Sequence, residues 1–219
     1  RRRYTTDPYC GYWVLDSRDK AEMLVDPTSL WMKSVEAAVA RKKDSMIISA
    51  LGGTAYTGKT GTTSVALPDS QKIAHAEAGV TYAKLRKIMQ MFKDNDVMDE
   101  QIYIVWSPEA ESQALDLAEV KNSDYTKISA IDNGGIKRYM GMNFITSNLL
   151  PKSTYYRSCY AWVPSGVQLA TSDDVRTKIY EDTTLVGNPW AADLYMDLGA
   201  TRMEEVKVIE FQIKESASV

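Results

Sequence analysis

The stretch from Asp26 to Gly53, DPTSLWMKSVEAAVARKKDSMIISALGG, constrains this chain more than any other. Thr28 or Ser29 can cap a helix there, and the pair Gly52–Gly53 ends one. Between them Trp31, Val35, Ala38, Val39, Met46 and Ala50 share one side at helical spacing. Lys33, Ser34, Arg41 and Asp44 fall on the other. Near the end, Ile47, Ile48 and Leu51 make the helix apolar almost all round. At ~1.5 Å per residue it spans on the order of 35 Å. A mean helix has ~11–12 residues, so this one is predicted to be a strut rather than a packing unit.

The helix also decides the motif at its end. GTAYTGKT, Gly53 to Thr60, matches the phosphate-loop pattern G-x-x-x-x-G-K-[ST] letter for letter. In a true phosphate loop a buried strand precedes the glycines and a helix succeeds the Thr. Here a helix precedes. The next residues, GTTSVALPDS, are β-branched and glycine-rich and end in a Pro segment, a poor helix former. Nothing downstream supplies four apolar residues closing on an Asp for Mg²⁺. The stretch is expected to be a glycine-rich β-hairpin.

The remaining chain alternates element types. Residues 1–25 scatter Tyr4, Tyr9, Tyr12 and Trp13 among Thr, Asp, Pro and Gly with no sustained period, and read as an extended segment outside the core. Leu85, Ile88, Met89 and Phe92 stand at i, i+3, i+4 and i+7, with Thr81 as cap. QIYIVW reads as a short buried strand. Ser107 caps the next helix and Pro108 opens it. DNGGIKRYMGMNFITSN reads as a turn and a strand, and YYRSCYAWVPSGVQLA as strand, turn and strand. RTKIYEDTT and WAADLYMDLGATR are β-like. In the closing strand, EEVKVIEFQIKES, Val206 and Val208 share one face and Ile209, Phe211 and Ile213 the other, which predicts a bulge or strong twist.

Composition narrows the function. The chain has 219 residues, enough for one large domain or two small ones. Its 26 basic and 29 acidic residues argue against a protein whose main task is gripping nucleic acid. Two cysteines, Cys10 and Cys159, form neither a metal spacing nor a disulfide framework, and point to a reducing compartment. No apolar run reaches the ~18 residues of a membrane span. The opening RRRYTTDPYCGYW lacks Met and a signal-like stretch, and reads as continuing from residues upstream. His75 is the single histidine. It stands far from any catalytic or metal-site pattern and reads as structural or exposed. The acidic pairs Asp94/Asp96, Asp173/Asp174 and Glu204/Glu205 read as solvated. Arg1–Arg3 and Arg41–Lys43 are the two basic clusters, able to meet phosphate or simply to face water. No catalytic, cofactor or metal residues emerge. Many amphipathic aromatics suit subunit interfaces, so the profile favours an assembly protein over an enzyme.

The order of these elements resembles the major capsid protein of tailed bacteriophages. The resemblance runs through DPTSLWMKSVEAAVARKKDSMIISALGGTA, YAKLRKIMQMFKDNDVMDEQIYIVWSPEAESQAL and LYMDLGATRMEEVKVIEFQI, and covers nearly the whole chain. It lies in the order of elements, since no single motif is diagnostic. It implies the α+β Hong Kong 97-like phage capsid fold, with extended loop, spine helix, peripheral domain and axial domain. Residues 1–26 would be part of the extended loop, lying over a neighbouring subunit. Residues 27–78 would be the peripheral domain with its spine helix and glycine-rich hairpin. Residues 79–165 would be the axial domain, and 166–219 the return sheet of the peripheral domain. The family's N-terminal arm and the first strand of the loop would have no counterpart here. Some members of the family crosslink Lys to Asn between subunits; no motif here identifies such a pair.

The implied function is a viral major capsid protein. It would assemble with itself into pentamers and hexamers of an icosahedral shell enclosing double-stranded DNA. Scaffolding, portal or decoration proteins are expected partners, with no cofactor and no membrane. The expected location is the virion, with assembly in the bacterial host cytoplasm. Tyr4, Tyr9, Tyr12 and Trp13 are the candidate subunit contacts, in one strand of a hairpin whose other strand lies upstream of Arg1. Arg41, Lys42 and Lys43 are the candidate DNA-facing cluster. A nanocompartment shell of the same fold, like the encapsulins, is the alternative, and a phosphate-loop nucleotide-binding enzyme the alternative from another class. Lys59→Ala separates the last: nucleotide binding by titration calorimetry is expected to be absent in both the parent chain and the variant.

Overall fold

A computed structural model describes residues 2–15, 27–97, 100–117 and 135–215, excepting the side chains of 27–31 and 174. The segment Asp16–Asp26, most of the turn at Asp132–Gly135, and the side chains of Arg1, Thr28, Ser29, Trp31 and Asp174 lie outside the described residues. The elements run β1 (Arg2–Arg3), β2 (Asp7–Leu15), α1 (Pro27–Gly52), β3 (Ala55–Thr57), β4 (Thr63–Val65), β5 (Lys72–Ile73), α2 (Tyr82–Asp94), β6 (Ile102–Trp106) and α3 (Pro108–Leu115). After these come β7 (Arg138–Tyr139), β8 (Met142–Thr146), β9 (Lys152–Ser153), β10 (Tyr156–Trp162), β11 (Val167–Glu181), β12 (Trp190–Arg202) and β13 (Val208–Lys214). They form two compact units, one of residues 1–3, 47–168 and 201–219, the other of 4–46 and 169–200.

The larger unit is built on a mixed sheet in the order β5-β13-β10-β6-β8-β7, with β9 beside β10. β6 and β8 run parallel, while β10 is antiparallel to β13 and to β6. Trp106, Phe92, Phe211, Ile104, Met142, Ile209 and Ile213 are fully buried in its core. The expected helical stripe is present, with Leu85, Ile88 and Phe92 buried on α2 and Met89 partly so. Thr81 caps that helix by accepting the Lys84 amide, and Ser107 caps α3 by accepting the Ala110 amide at 3.1 Å. The Ser107 hydroxyl in turn donates to Glu215, only 3% exposed, whose other partners are Arg157 at 3.0 Å and Lys152 at 3.3 Å. Burial pushes the Glu215 pKa up, but the bonds from Ser107 and Arg157 outweigh it and hold the carboxyl below its ordinary range.

The bulge expected in the closing strand is absent. Val206 lies in a 3-10 turn, Glu205–Lys207, and the strand begins only at Val208. From there β13 pairs with β10 one residue to one, from Val208–Trp162 to Lys214–Tyr156. The apparent slip of phase is the boundary between a turn and a strand. Val208 and Ile209 are both buried although they point to opposite faces; Ile209, Phe211 and Ile213 continue the buried face and Glu210, Gln212 and Lys214 the polar one.

β3 and β4 make the glycine-rich hairpin, and β1 adds a third strand beside β3. Gly58 and Gly61 take φ of +96° and +68°, which the turn requires and L side chains resist. α1 leads into it and β4 leaves it, so the flanking elements of a phosphate loop are both missing. Arg202, 1% exposed, closes the end of α1 against this hairpin. Its guanidinium donates to the carbonyls of Leu51 (2.9 Å), Gly53 (2.7 Å) and Val65 (3.1 Å). α1 has no basic residue in its last turn, so Arg202 supplies a donor to the Leu51 carbonyl of that turn and the positive charge that a helix carboxyl end favours. Glu205 lies 3.9 Å from Arg202 Nε and takes two bonds from Arg2, at 2.5 and 2.7 Å. Glu205 and Arg2 are thus committed inside the fold, whereas their neighbours in sequence suggest a solvated surface for both.

The smaller unit packs the sheet β11-β12-β2 on the first part of α1. Val35 and Val39 meet Leu194, Met196 and Leu198, with Tyr9, Met46 and Val175 beside them. Lys33, Ser34, Arg41 and Asp44 are exposed, as the helical spacing predicts. α1 is not a bare strut: its 26 residues, about 39 Å, place Ile48 and Leu51 in the core of the larger unit as well.

Arg202→Met removes three charged donors from buried carbonyls and is expected to cost about 2–4 kcal/mol, read from denaturant midpoints. Loss of less than about 0.5 kcal/mol would show that water caps these carbonyls equally well.

Candidate functional site

The segment expected to stand alone is paired within the chain. β2 runs antiparallel to β12, from Asp7 opposite Leu198 to Leu15 opposite Trp190. Besides the strand expected upstream of Arg1, the segment thus has a partner strand inside the chain that its own residues did not announce. The reason is burial: β12 presents alternate residues Ala192, Leu194, Met196 and Leu198 to α1, and β2 extends the same apolar face with Tyr9. Gly199 lets the chain entering β2 approach, since a Cβ there would stand 2.5 Å from the Thr5 carbonyl oxygen.

β2 is an edge strand, with β12 on one side only among the described residues. Tyr4, Tyr12, Trp13 and Val14 are all exposed, Tyr12 by 52%, and Tyr195 on β12 adds to them. Alternation puts Pro8, Cys10, Tyr12 and Val14 on the face turned away from α1, opposite Asp197, Tyr195, Asp193 and Ala191. The Tyr12 hydroxyl donates to Asp182 Oδ2 at 2.9 Å. That bond and the carboxylate's charge push the Tyr12 pKa up to about 12. Tyr180 is raised likewise by its hydrogen bond to Asp193. Asp182 is held low, first by the Thr184 hydroxyl and amide and then by Tyr12. The Tyr12 and Tyr180 phenols stay neutral and the Asp182 carboxylate charged, leaving a face of fixed aromatic and acidic groups. Trp13 lies on the other side of the strand, at the rim of a small open cleft with Ser34, Val35 and Ala192.

The two candidate groups meet at one point. Lys42 Nζ sits 4.0 Å from the centre of the Tyr9 ring, a cation–π contact joining α1 to β2. Tyr9 is therefore largely an internal contact, while Tyr4, Tyr12 and Trp13 remain available. Arg41 is exposed and Lys43 half-buried, so the cluster does not face outward as one patch. Asp182, Tyr180 and Tyr195 do not stand out in the sequence. Their signal exists only once β12 is known to lie beside β2.

Among the described residues, no group of three or more His, Cys, Asp or Glu side chains is placed to hold a metal. Among the same residues, no helix is long and apolar enough to cross a membrane. What the structure offers is a long helix backed by a sheet, a second α/β unit and an exposed aromatic edge. This arrangement agrees with the α+β Hong Kong 97-like capsid fold that the resemblance implies.

Comparison with known proteins agrees. Residues 1–215 match the family described as phage capsid protein. No curated protein matches. Among solved structures, the capsid of cyanophage P-SCSP1u aligns at a TM-score of 0.75 with 15% identity, covering 98% of this chain and 74% of that one. The capsid of cyanophage Pam1 aligns at 0.71 with 10% identity, covering 99% and 76%. The SrpI encapsulin of Synechococcus elongatus aligns at 0.65 with 8% identity, covering 98% and 76%. The chain belongs to the phage capsid protein family. It is a capsid protein, a structural component of the virion that assembles with copies of itself.

Lys42→Gln is expected to lower stability by about 0.5–1 kcal/mol through loss of the Tyr9 contact, whereas Arg41→Gln leaves it unchanged within error. Equal effects in thermal melts would mean that the contact contributes nothing.

Proposed function

We propose that this chain builds pentameric and hexameric rings that close into an icosahedral shell around double-stranded DNA, and that it has no enzymatic activity. The observation that carries the reading is the edge strand β2, whose aromatic residues and free backbone edge lack a partner strand among the described residues. Exposed apolar groups beside an open sheet edge are a surface to which another chain adds. In this reading residues 1–26 belong to an extended loop over a neighbouring subunit. Residues 27–78 and 166–219 form the peripheral domain around the spine helix α1, except that β13 returns to the sheet of residues 79–165, which form the axial domain at the ring centre. Tyr4, Tyr12 and Trp13 are the subunit contacts, and Tyr9 supports them from beneath. Arg41 and Lys43 meet packaged DNA through non-specific phosphate contacts that weaken with salt, while Lys42 is held by Tyr9. Scaffolding, portal or decoration proteins complete assembly in the bacterial cytoplasm. The likeness to an encapsulin is one of fold, and the contents of purified particles, genome or protein cargo, separate the two uses of it.

Hydrogen exchange tests the contact. Pairing with β12 already shields about every second amide of β2 in an antiparallel ladder. The amides on the free edge are expected to exchange fast in the free chain and to become protected on assembly. Free-edge amides that stay fast in closed shells would remove β2 from the interface.

A further inference from the structure

The turn His75–Ala78 is strained and is held by groups that the assembly reading does not use. Ala76 and Glu77 both adopt left-handed backbone, at φ of +49° and +53°. Such non-glycine conformations persist only where the surroundings impose them. From below, Lys84 Nζ, a buried amine, donates to the carbonyls of His75 (2.7 Å), Ala78 (2.8 Å) and Gly79 (2.9 Å), and to Gln212 of β13 (3.1 Å). From the side, the Lys214 amide donates to the Ala78 carbonyl at 3.1 Å. From above, the His75 ring stacks on Tyr156 of β10, with ring centres 3.6 Å apart.

One bond among these depends on a proton. The Glu77 backbone amide donates to His75 Nδ1 at 3.0 Å. A backbone N–H only donates, so Nδ1 must be unprotonated in this arrangement and any proton of the neutral ring must sit on Nε2. We propose that His75 is a proton-operated latch on this turn. Protonation of the imidazole at Nδ1 places N–H against N–H, and the Glu77 amide loses its acceptor. The new Nδ1–H has another acceptor in reach, Glu77 Oε1 at 3.5 Å. That oxygen already accepts from the Tyr156 hydroxyl at 2.6 Å, while Oε2 accepts from Lys214 Nζ at 2.8 Å. The proton therefore trades a backbone bond for a side-chain bond, shifts the Glu77–Tyr156 pair and releases the strained residues.

The charged and titratable groups facing His75 are Glu77 on its own turn, Tyr156 on β10, Lys214 on β13 and Lys84 on α2. Bonds from Lys214, then from Tyr156, hold the Glu77 carboxyl below its usual range, so it remains an acceptor when the imidazole gains its proton. Lys214 is raised by the same pair and Tyr156 by its bond to Glu77. The inference concerns the single chain and does not rest on the shell reading.

The test uses the purified, nitrogen-15-labelled chain and its single histidine. At pH 8 the ring is expected to be the Nε2–H tautomer in imidazole nitrogen spectra. Between pH 8 and 5 the Glu77 amide shift should track the same midpoint as the imidazole, and its exchange protection, corrected for intrinsic rates, should fall about five-fold. In His75→Asn, whose side-chain oxygen replaces Nδ1 as an acceptor that does not titrate, protection should stay within about two-fold across that range. A Glu77 amide that ignores the imidazole midpoint, an Nδ1–H tautomer at pH 8, or the same fall in protection in His75→Asn would each overturn the proposal.

Discussion

A long helix that ends inside a protein must give its last carbonyls to someone. Here the donor is Arg202, which comes from the end of β12 some 150 residues away in sequence and bonds Leu51, Gly53 and Val65. That guanidinium ties the end of α1, the returning strand of the hairpin and the last turn before β13 into one junction. Glu205 balances its charge and holds Arg2. Desolvation lowers the Arg202 pKa, and Glu205 opposes that shift. An arginine suits the site better than a lysine because one planar fork can reach three carbonyls at once.

Local chemistry is legible where elements are local. The caps Thr81 and Ser107, the stripe on α2 and the end of α1 at Gly52 all derive from a few neighbouring residues. GTAYTGKT is disqualified on the same local grounds, because a motif is judged by the elements on either side of it. Pairings between distant segments are not legible. Nothing in DPYCGYWVL says that WAADLYMDL will lie beside it, yet that pairing turns a loose arm into an edge strand. The slip in VKVIEF misleads for a related reason. An alternation pattern assumes one continuous strand, and a 3-10 turn at Glu205–Lys207 counterfeits a bulge.

Charges are the least legible of all. The pair Glu204–Glu205 reads as solvated, but one member anchors two arginines. Glu215, near the end of the described chain, is buried under Ser107 and Arg157 and fixes the cap of α3. Lys84 hides its amine among four carbonyls, with no carboxylate paired to it among the described residues. Glu215 and Lys84 are buried only because they are well bonded, and the bonds come from segments far apart in sequence.

These internal commitments sharpen what remains outside. The capsid family and the fold place the chain in a shell, and the unpartnered strand edge with Tyr12, Trp13 and Val14 is where the account expects a neighbour. The most direct measurement is electron cryomicroscopy of the particles that the purified chain forms. The account predicts closed shells in which a neighbouring copy covers the free edge of β2 and the Tyr12 side chain. Closed shells with that edge bare to solvent would contradict it.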